Sequence, residues 1–293
     1  MTLLQAVLMG LLQGLTEFLP VSSSGHLAIF KNIFHINTET GMLFDILLHI
    51  GTLIAIFVAY YKDIWKMIVE GFGILIDLIS NAGIFFGNLF SKNDAKMYRK
   101  VMKNAYRKFV MLIIVSTIPT GILGVLGKDL IEEAGAGLIV PGICLIITAC
   151  LLMIADYCGS GKKTPKDTRY LDAFSVGVAQ GVATLPGLSR SGTTITACLL
   201  CGFDKKFAVK YSFIMSIPAI LGAAVLEMKD IGELTLKNNE VIHYAAGMAV
   251  AAIVGYICIK TMLVVVRGKK FKIFSIYCFA AGALAICGHF FLS

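Results

Sequence analysis

Apolar stretches of about 18 to 22 residues recur along the whole chain, and each is long enough to cross a hydrocarbon core of about 30 Å as a helix. Six of them run without serious interruption, at 42–61, 109–127, 138–156, 208–226, 243–264 and 274–292. Charged residues make up 15% of the 293 positions and mean hydropathy is +0.82, whereas a soluble domain carries about a quarter charged residues. The pattern predicts an all-α polytopic membrane protein, a single integral membrane domain over 1–293. It excludes collagen, disorder, coiled coils and secreted disulfide scaffolds.

Two other apolar segments, 3–30 and 173–202, carry Gly, Pro, Ser and charge in their middles. Each is predicted to be a re-entrant helical hairpin that enters and leaves by the same membrane face. Irregular backbone survives at that depth only when protein or a wet cavity surrounds it. A further stretch, 64–90, is interrupted by Glu70, Asp77, Asn81 and several Gly, and is expected to lie as an amphipathic helix on the membrane surface. It opens an amphipathic and basic cytoplasmic segment, 62–108.

The net charge of +8 does not point to nucleic acid, because topology accounts for it. Cytoplasmic loops are enriched in Lys and Arg. Lys62, Lys66, the run Lys92 to Lys108, Lys162 to Arg169, Lys205 to Lys210 and Arg267 to Lys272 hold 20 of the 26 basic residues, while opposite loops carry Asp129, Glu132, Glu133, Glu227, Asp230, Glu233 and Glu240. Six spans then place both termini outside the plasma membrane. The cysteines fall mostly inside apolar segments, where a thiol behaves as a small hydrophobe, and Cys198 with Cys201 form a lone, weak C-x-x-C. The glycines of two spans (Gly121, Gly124, Gly127; Gly247, Gly255) suit close helix packing within or between chains, so a homodimer is compatible with the sequence.

This layout implies two halves of opposite topology, about 1–156 and 173–293. An internal repeat matches it: Gln13-Gly14 through Ser23-Ser24-Gly25 parallels Gln180-Gly181 through Arg190-Ser191-Gly192. Inverted repeats with broken helices usually place a shared site where the two tips meet. At the first tip Gln13 and Glu17 share a helix face, and an intramembrane carboxylate is costly unless it binds something. Ser22, Ser23, Ser24, Gly25 and His26 follow, offering hydroxyls, open backbone and a proton carrier. At the second, Gly187, Ser189, Arg190, Ser191 and Thr194 form a set suited to phosphate, since the guanidinium fork binds two oxygens at once. A phosphate ester with a long lipid tail fits a pocket so lined. Glu17 is suited either to acid–base work or to holding a divalent cation, Mg²⁺ or Ca²⁺, beside phosphate oxygens. Asp45 and His49 either face this cavity or pair within the bundle.

These motifs resemble the two signature regions of the bacterial undecaprenyl-diphosphate phosphatases of the bacitracin-resistance type. The first is a Glu/Gln-x-x-x-Glu followed by Pro-x-Ser-Ser-x-Gly-His, here Gln13 to Glu17 and Pro20 to His26. The second is Pro-Gly-x-Ser-Arg-Ser-x-x-Thr, here Pro186 to Thr194. The resemblance implies hydrolysis of undecaprenyl diphosphate to the monophosphate and inorganic phosphate on the outer side of the plasma membrane, recycling the carrier lipid for peptidoglycan. It implies Glu17 as the essential carboxylate, Ser23 as nucleophile, His26 for proton transfer and Arg190 on the diphosphate, with Ser189, Ser191 and Thr194 in support. Many members carry Glu where this chain has Gln13, which removes one charge from a two-carboxylate metal site.

A secondary transporter or polyprenyl-lipid flippase shares inverted repeats and intramembrane charge but has no need of the Ser, His and Arg set. A phosphatidic-acid-type phosphatase shares Ser-Gly-His, yet needs a His six residues after the Arg, where this chain has Thr196.

Overall fold

In the computed structural model, which describes residues 1–33, 41–90, 96–135, 137–159, 161–230, 238–268 and 270–292, the chain is built from helices and no β-strand occurs among those residues. Six helices are long and apolar enough to cross a membrane: α3 (Gly41–Phe90), α4 (Ala105–Leu126), α6 (Ile139–Tyr157), α9 (Lys205–Asp230), α10 (Asn238–Arg267) and α11 (Phe271–Leu292). They cover the six predicted spans. The two interrupted segments each form a pair of shorter helices around a turn, α1 (Leu3–Phe18) with α2 (Ser23–Ile33), and α7 (Tyr170–Val182) with α8 (Arg190–Leu200). A short helix, α5 (Lys128–Gly135), follows α4. Glu233 falls outside the described residues.

The expected boundary near residue 61 appears as a kink: 41–90 form one run, α3, in which non-helical backbone at Tyr60 (φ −118°, ψ 22°) separates two helical stretches. No Gly or Pro stands between Tyr60 and Lys66 to stop the helix. Asp63 anchors this stretch, accepting hydrogen bonds from Lys210 Nζ at 2.8 Å and the Tyr106 hydroxyl at 3.0 Å. Farther along α3 the polar residues face a returning extended segment. Asn81 bonds both ways to the Arg99 backbone, Asn88 does the same to Lys96, and Arg107 reaches Glu70 and Asp77. The apolar side chains Trp65, Phe72, Ile76, Ile79 and Phe86 stay exposed.

Small residues set how closely the helices cross. α1 packs along α10 and α7 along α4. A Cβ on Gly10 would run into the Gly247 backbone and one on Gly14 into Ala251 and Val254, while one on Gly177 would strike Ser116 and one on Gly181 Leu123. Both tips are thereby held against helices distant in sequence. Gly10→Ala is expected to destabilise the fold by roughly 1–3 kcal/mol through overpacking, read as a lower Tm of the purified protein. Gly83→Ala, where a Cβ meets nothing within 4 Å, should not lower it.

Candidate active site at the two helical tips

Glu17 lies one turn after Gln13 on the buried face of α1, with 7% and 0% of their surfaces exposed. A carboxylate this deep needs partners, and the fold supplies them from four elements. Arg190, the first residue of α8, places Nη2 on Glu17 Oε1. The Ser23 hydroxyl, at the start of α2, donates to Oε2 at 2.7 Å. Gln13 Nε2 donates to the same oxygen at 3.0 Å and lies 3.1 Å from His49 Nδ1 on α3. The glutamine amide is oriented by this geometry: its nitrogen must face the carboxylate, and its Oε1 is buried with no hydrogen-bond partner.

The turns that hold these groups follow from local chemistry. Ser189 caps α8, accepting from Gly192 N at 3.1 Å, and its own amide donates to Thr148 Oγ1 at 3.0 Å. Gly187 has φ of 90°, a conformation that costs glycine little and other residues much. Its amide donates to Ser24 Oγ at 3.3 Å, and Ser191 Oγ donates to the Leu19 carbonyl at 3.3 Å, so each tip is bonded to the other. A Cβ on Gly25 would approach Gly187 Cα to 3.1 Å. Thr194 lies one turn deeper, bonded to Ser212 Oγ at 2.6 Å. Ser22 is buried, with its Oγ 3.3 Å from Ser24 Oγ.

The sequence-predicted residues divide into three groups. Glu17, Ser23, Arg190 and Gln13 meet directly. Ser22, Ser24, Gly25, Gly187, Ser189, Ser191 and Thr194 build the turns around them. His26 stands apart: Nδ1 is bonded to the Ser22 carbonyl and Nε2 to the Tyr277 hydroxyl, each at 2.7 Å, while Ser23 donates to Glu17. Of the pair left open on α3, His49 joins the site and Asp45 pairs with Lys31. Tyr277 and Thr148 were not singled out by sequence. Neither belongs to a motif, and only the approach of α11 and α6 to the tips gives them partners.

Two helices, α2 and α8, point their N-termini at this cluster, adding partial positive charge where Arg190 already stands. None of the described residues bonds to Arg190 Nε or Nη1, leaving donors for an anion. Among the described residues no three His, Cys, Asp or Glu gather as a metal cluster.

Comparisons with known proteins show which family the chain belongs to. The profile described as bacitracin resistance protein BacA matches residues 6–284. A protein of Alkaliphilus metalliredigens named undecaprenyl-diphosphatase is 40% identical over 286 residues, covering 98% of each chain. Proteins with the same name from Methanosphaera stadtmanae, 40% identical over 97% of each chain, and Halothermothrix orenii, 36% identical over 98% of each, match as fully. The profile match takes in both tips and five of the long helices whole and ends within α11, and the chain belongs to the bacitracin resistance protein BacA family.

Proposed function

We propose that this protein hydrolyses undecaprenyl diphosphate to undecaprenyl phosphate and inorganic phosphate, a membrane-embedded step that recycles the carrier lipid for peptidoglycan synthesis and supports bacitracin resistance. The observation that carries the reading is the meeting of Glu17, Ser23 and Arg190 across two tips far apart in sequence. A hydroxyl bonded to a carboxylate is a nucleophile with its base in place. A guanidinium with free donors beside two helix N-termini is a seat for phosphate.

In this mechanism the terminal phosphate enters over Arg190, whose guanidinium shifts part of its bonding from Glu17 to phosphate oxygens. Ser23 Oγ attacks the terminal phosphorus as Glu17 Oε2 takes its proton. The bridging P–O bond breaks, undecaprenyl phosphate leaves, and water then cleaves the phosphoserine to give inorganic phosphate. Ser189, Ser191 and the backbone at Gly25 and Gly187 keep the two tips in register. A divalent cation, Mg²⁺ or Ca²⁺, would be held by Glu17 and the buried, unpartnered Gln13 Oε1 together with substrate oxygens. It would supply charge neutralisation.

The tips belong, in this reading, to two re-entrant hairpins of an inverted repeat, about 1–156 and 173–293. The close glycine contacts support it, because Gly10 and Gly14 on one hairpin occupy the repeat positions of Gly177 and Gly181 on the other. With both termini outside, the site opens to the outer face. The distal part of α3 with segment 96–104 lies at the cytoplasmic interface, since an extended chain bearing Lys96, Arg99, Lys100 and Lys103 has no place in hydrocarbon. The oligomeric expectation is that a homodimer, where it forms, leaves each chain with a complete site.

Purified protein in detergent should release phosphate from undecaprenyl diphosphate. EDTA should suppress that release and added Mg²⁺ or Ca²⁺ restore it, and Glu17→Ala and Arg190→Ala should each abolish it. No release from a folded wild type would overturn the reading. Arg190→Lys should lower kcat/KM by about a hundredfold, because Lys lacks the planar fork. Ser23→Ala should lower kcat by about three orders of magnitude or more; a loss of only about tenfold would point to direct attack by water.

A further inference from the structure

Both ring nitrogens of His26 are engaged, and their partners are not equivalent. Nδ1 lies 2.7 Å from the Ser22 carbonyl oxygen, which can only accept, so Nδ1 carries the hydrogen. In the neutral ring Nε2 is then a lone pair, and the group facing it is the Tyr277 hydroxyl at 2.7 Å. The phenol must donate. The two rings also stack, with centroids 5.5 Å apart and planes 11° from parallel, so Tyr277 sets the ring plane and, together with the Ser22 carbonyl, the tautomer. The other end is fixed by Ser22, whose φ of 70° is uncommon for a residue other than glycine. That conformation turns its carbonyl toward both the amide and Nδ1 of His26.

Tyr277 lies on α11, which reaches the first tip at two neighbouring residues. Cys278 Sγ approaches the Pro20 carbonyl at 3.6 Å beside the Tyr277 contact. The last helix of the chain thus holds the turn that carries Ser23. We infer that Tyr277 is a positioning residue for the reaction, holding His26 as the Nδ1–H tautomer so that the imidazole can take up a proton only at Nε2. Its effect on turnover rests on the phosphatase reading and on His26 carrying a proton in that reaction; the tautomer rests on geometry alone. Removing the phenol leaves Nε2 without its donor and frees the ring to rotate and to exchange tautomers.

Tyr277→Phe keeps the stacked ring and deletes the O–H. It should lower kcat about tenfold, the scale seen when the group orienting a functional histidine is removed, with KM unchanged, and it should cost nothing further once His26 is Ala. In ¹⁵N spectra of histidine-labelled full-length protein in nanodiscs, the His26 signal is assigned by its loss in His26→Ala. The wild type should show Nδ1 protonated, and Tyr277→Phe a mixture. A wild-type His26 protonated at Nε2, or a Tyr277→Phe protein as active as wild type, overturns the inference. So does an equal loss in the His26→Ala background. Each of these leaves the phosphatase reading standing. A wild type with the Nδ1–H tautomer that releases no phosphate overturns that reading, and the role in turnover with it.

Discussion

The contact between Glu17 and Arg190 is the constraint on which the rest of the structure depends. A carboxylate buried to 7% exposure in an apolar chain is untenable alone, and its partner comes from the opposite end of the sequence. Bringing the pair together requires α1 to end, α8 to begin, and both turns to occupy the same small volume. The cross-tip bonds from Gly187 to Ser24 and from Ser191 to Leu19 then satisfy backbone groups that neither turn can satisfy by itself. Breaking one partner of the ion pair leaves a buried charge unmatched. Chemistry and folding are therefore hard to separate at this position, and Arg190→Lys, which keeps the charge, is more informative than removal.

The two helix pairs, α1 with α2 and α7 with α8, use the same device to present their tips. The first helix of each pair carries two glycines one turn apart, and each lies tightly on a helix distant in sequence, α1 on α10 and α7 on α4. Dispersion and close backbone approach, rather than water exclusion, hold helices together in lipid. This packing brings the two tips together, where each contributes what the other lacks: the first a carboxylate and a hydroxyl, the second a guanidinium. Where Ser23 stands in the first repeat, Arg190 stands in the second. One backbone plan thus delivers nucleophile and electrophile from equivalent positions.

Much of this was legible in the sequence because hydropathy and turn chemistry act locally. The six long helices follow from apolar runs, and the tips follow from Pro20, Pro186 and the Ser-Gly steps, Ser24-Gly25 and Ser191-Gly192, in the first turns of the new helices that begin at Ser23 and Arg190. Local signals failed where continuation or a partner decides. Lys62, Asp63 and Lys66 look like the end of a span, and the chain there kinks at Tyr60 and goes on as helix, with Lys210 pairing with Asp63 and Tyr106 donating to it from other elements. His26 was legible as a functional histidine but its partner was not. Tyr277 is one of ten tyrosines, and only the approach of α11 to the first tip distinguishes it. His49 joins Gln13 for the same kind of reason, being brought within 3.1 Å by the packing of α3 on α1.

Gln13 alters the charge balance of the site in a way that bears on the cation. One carboxylate opposite one guanidinium leaves the resting cluster near neutrality, and the glutamine nitrogen stabilises Glu17 without adding charge. A second carboxylate at that position would demand a counter-ion before substrate arrives; Gln13 does not. A phosphate monoester carries about two negative charges near neutral pH, and a diphosphate exceeds what one guanidinium and two helix N-termini, each worth about half a charge, can offset. The shortfall appears only when the lipid is bound. In the proposed reaction a cation would be recruited with the diphosphate, its ligands mostly phosphate oxygens, with Glu17 and the unpartnered Gln13 Oε1 providing no more than the protein side of a site the substrate completes.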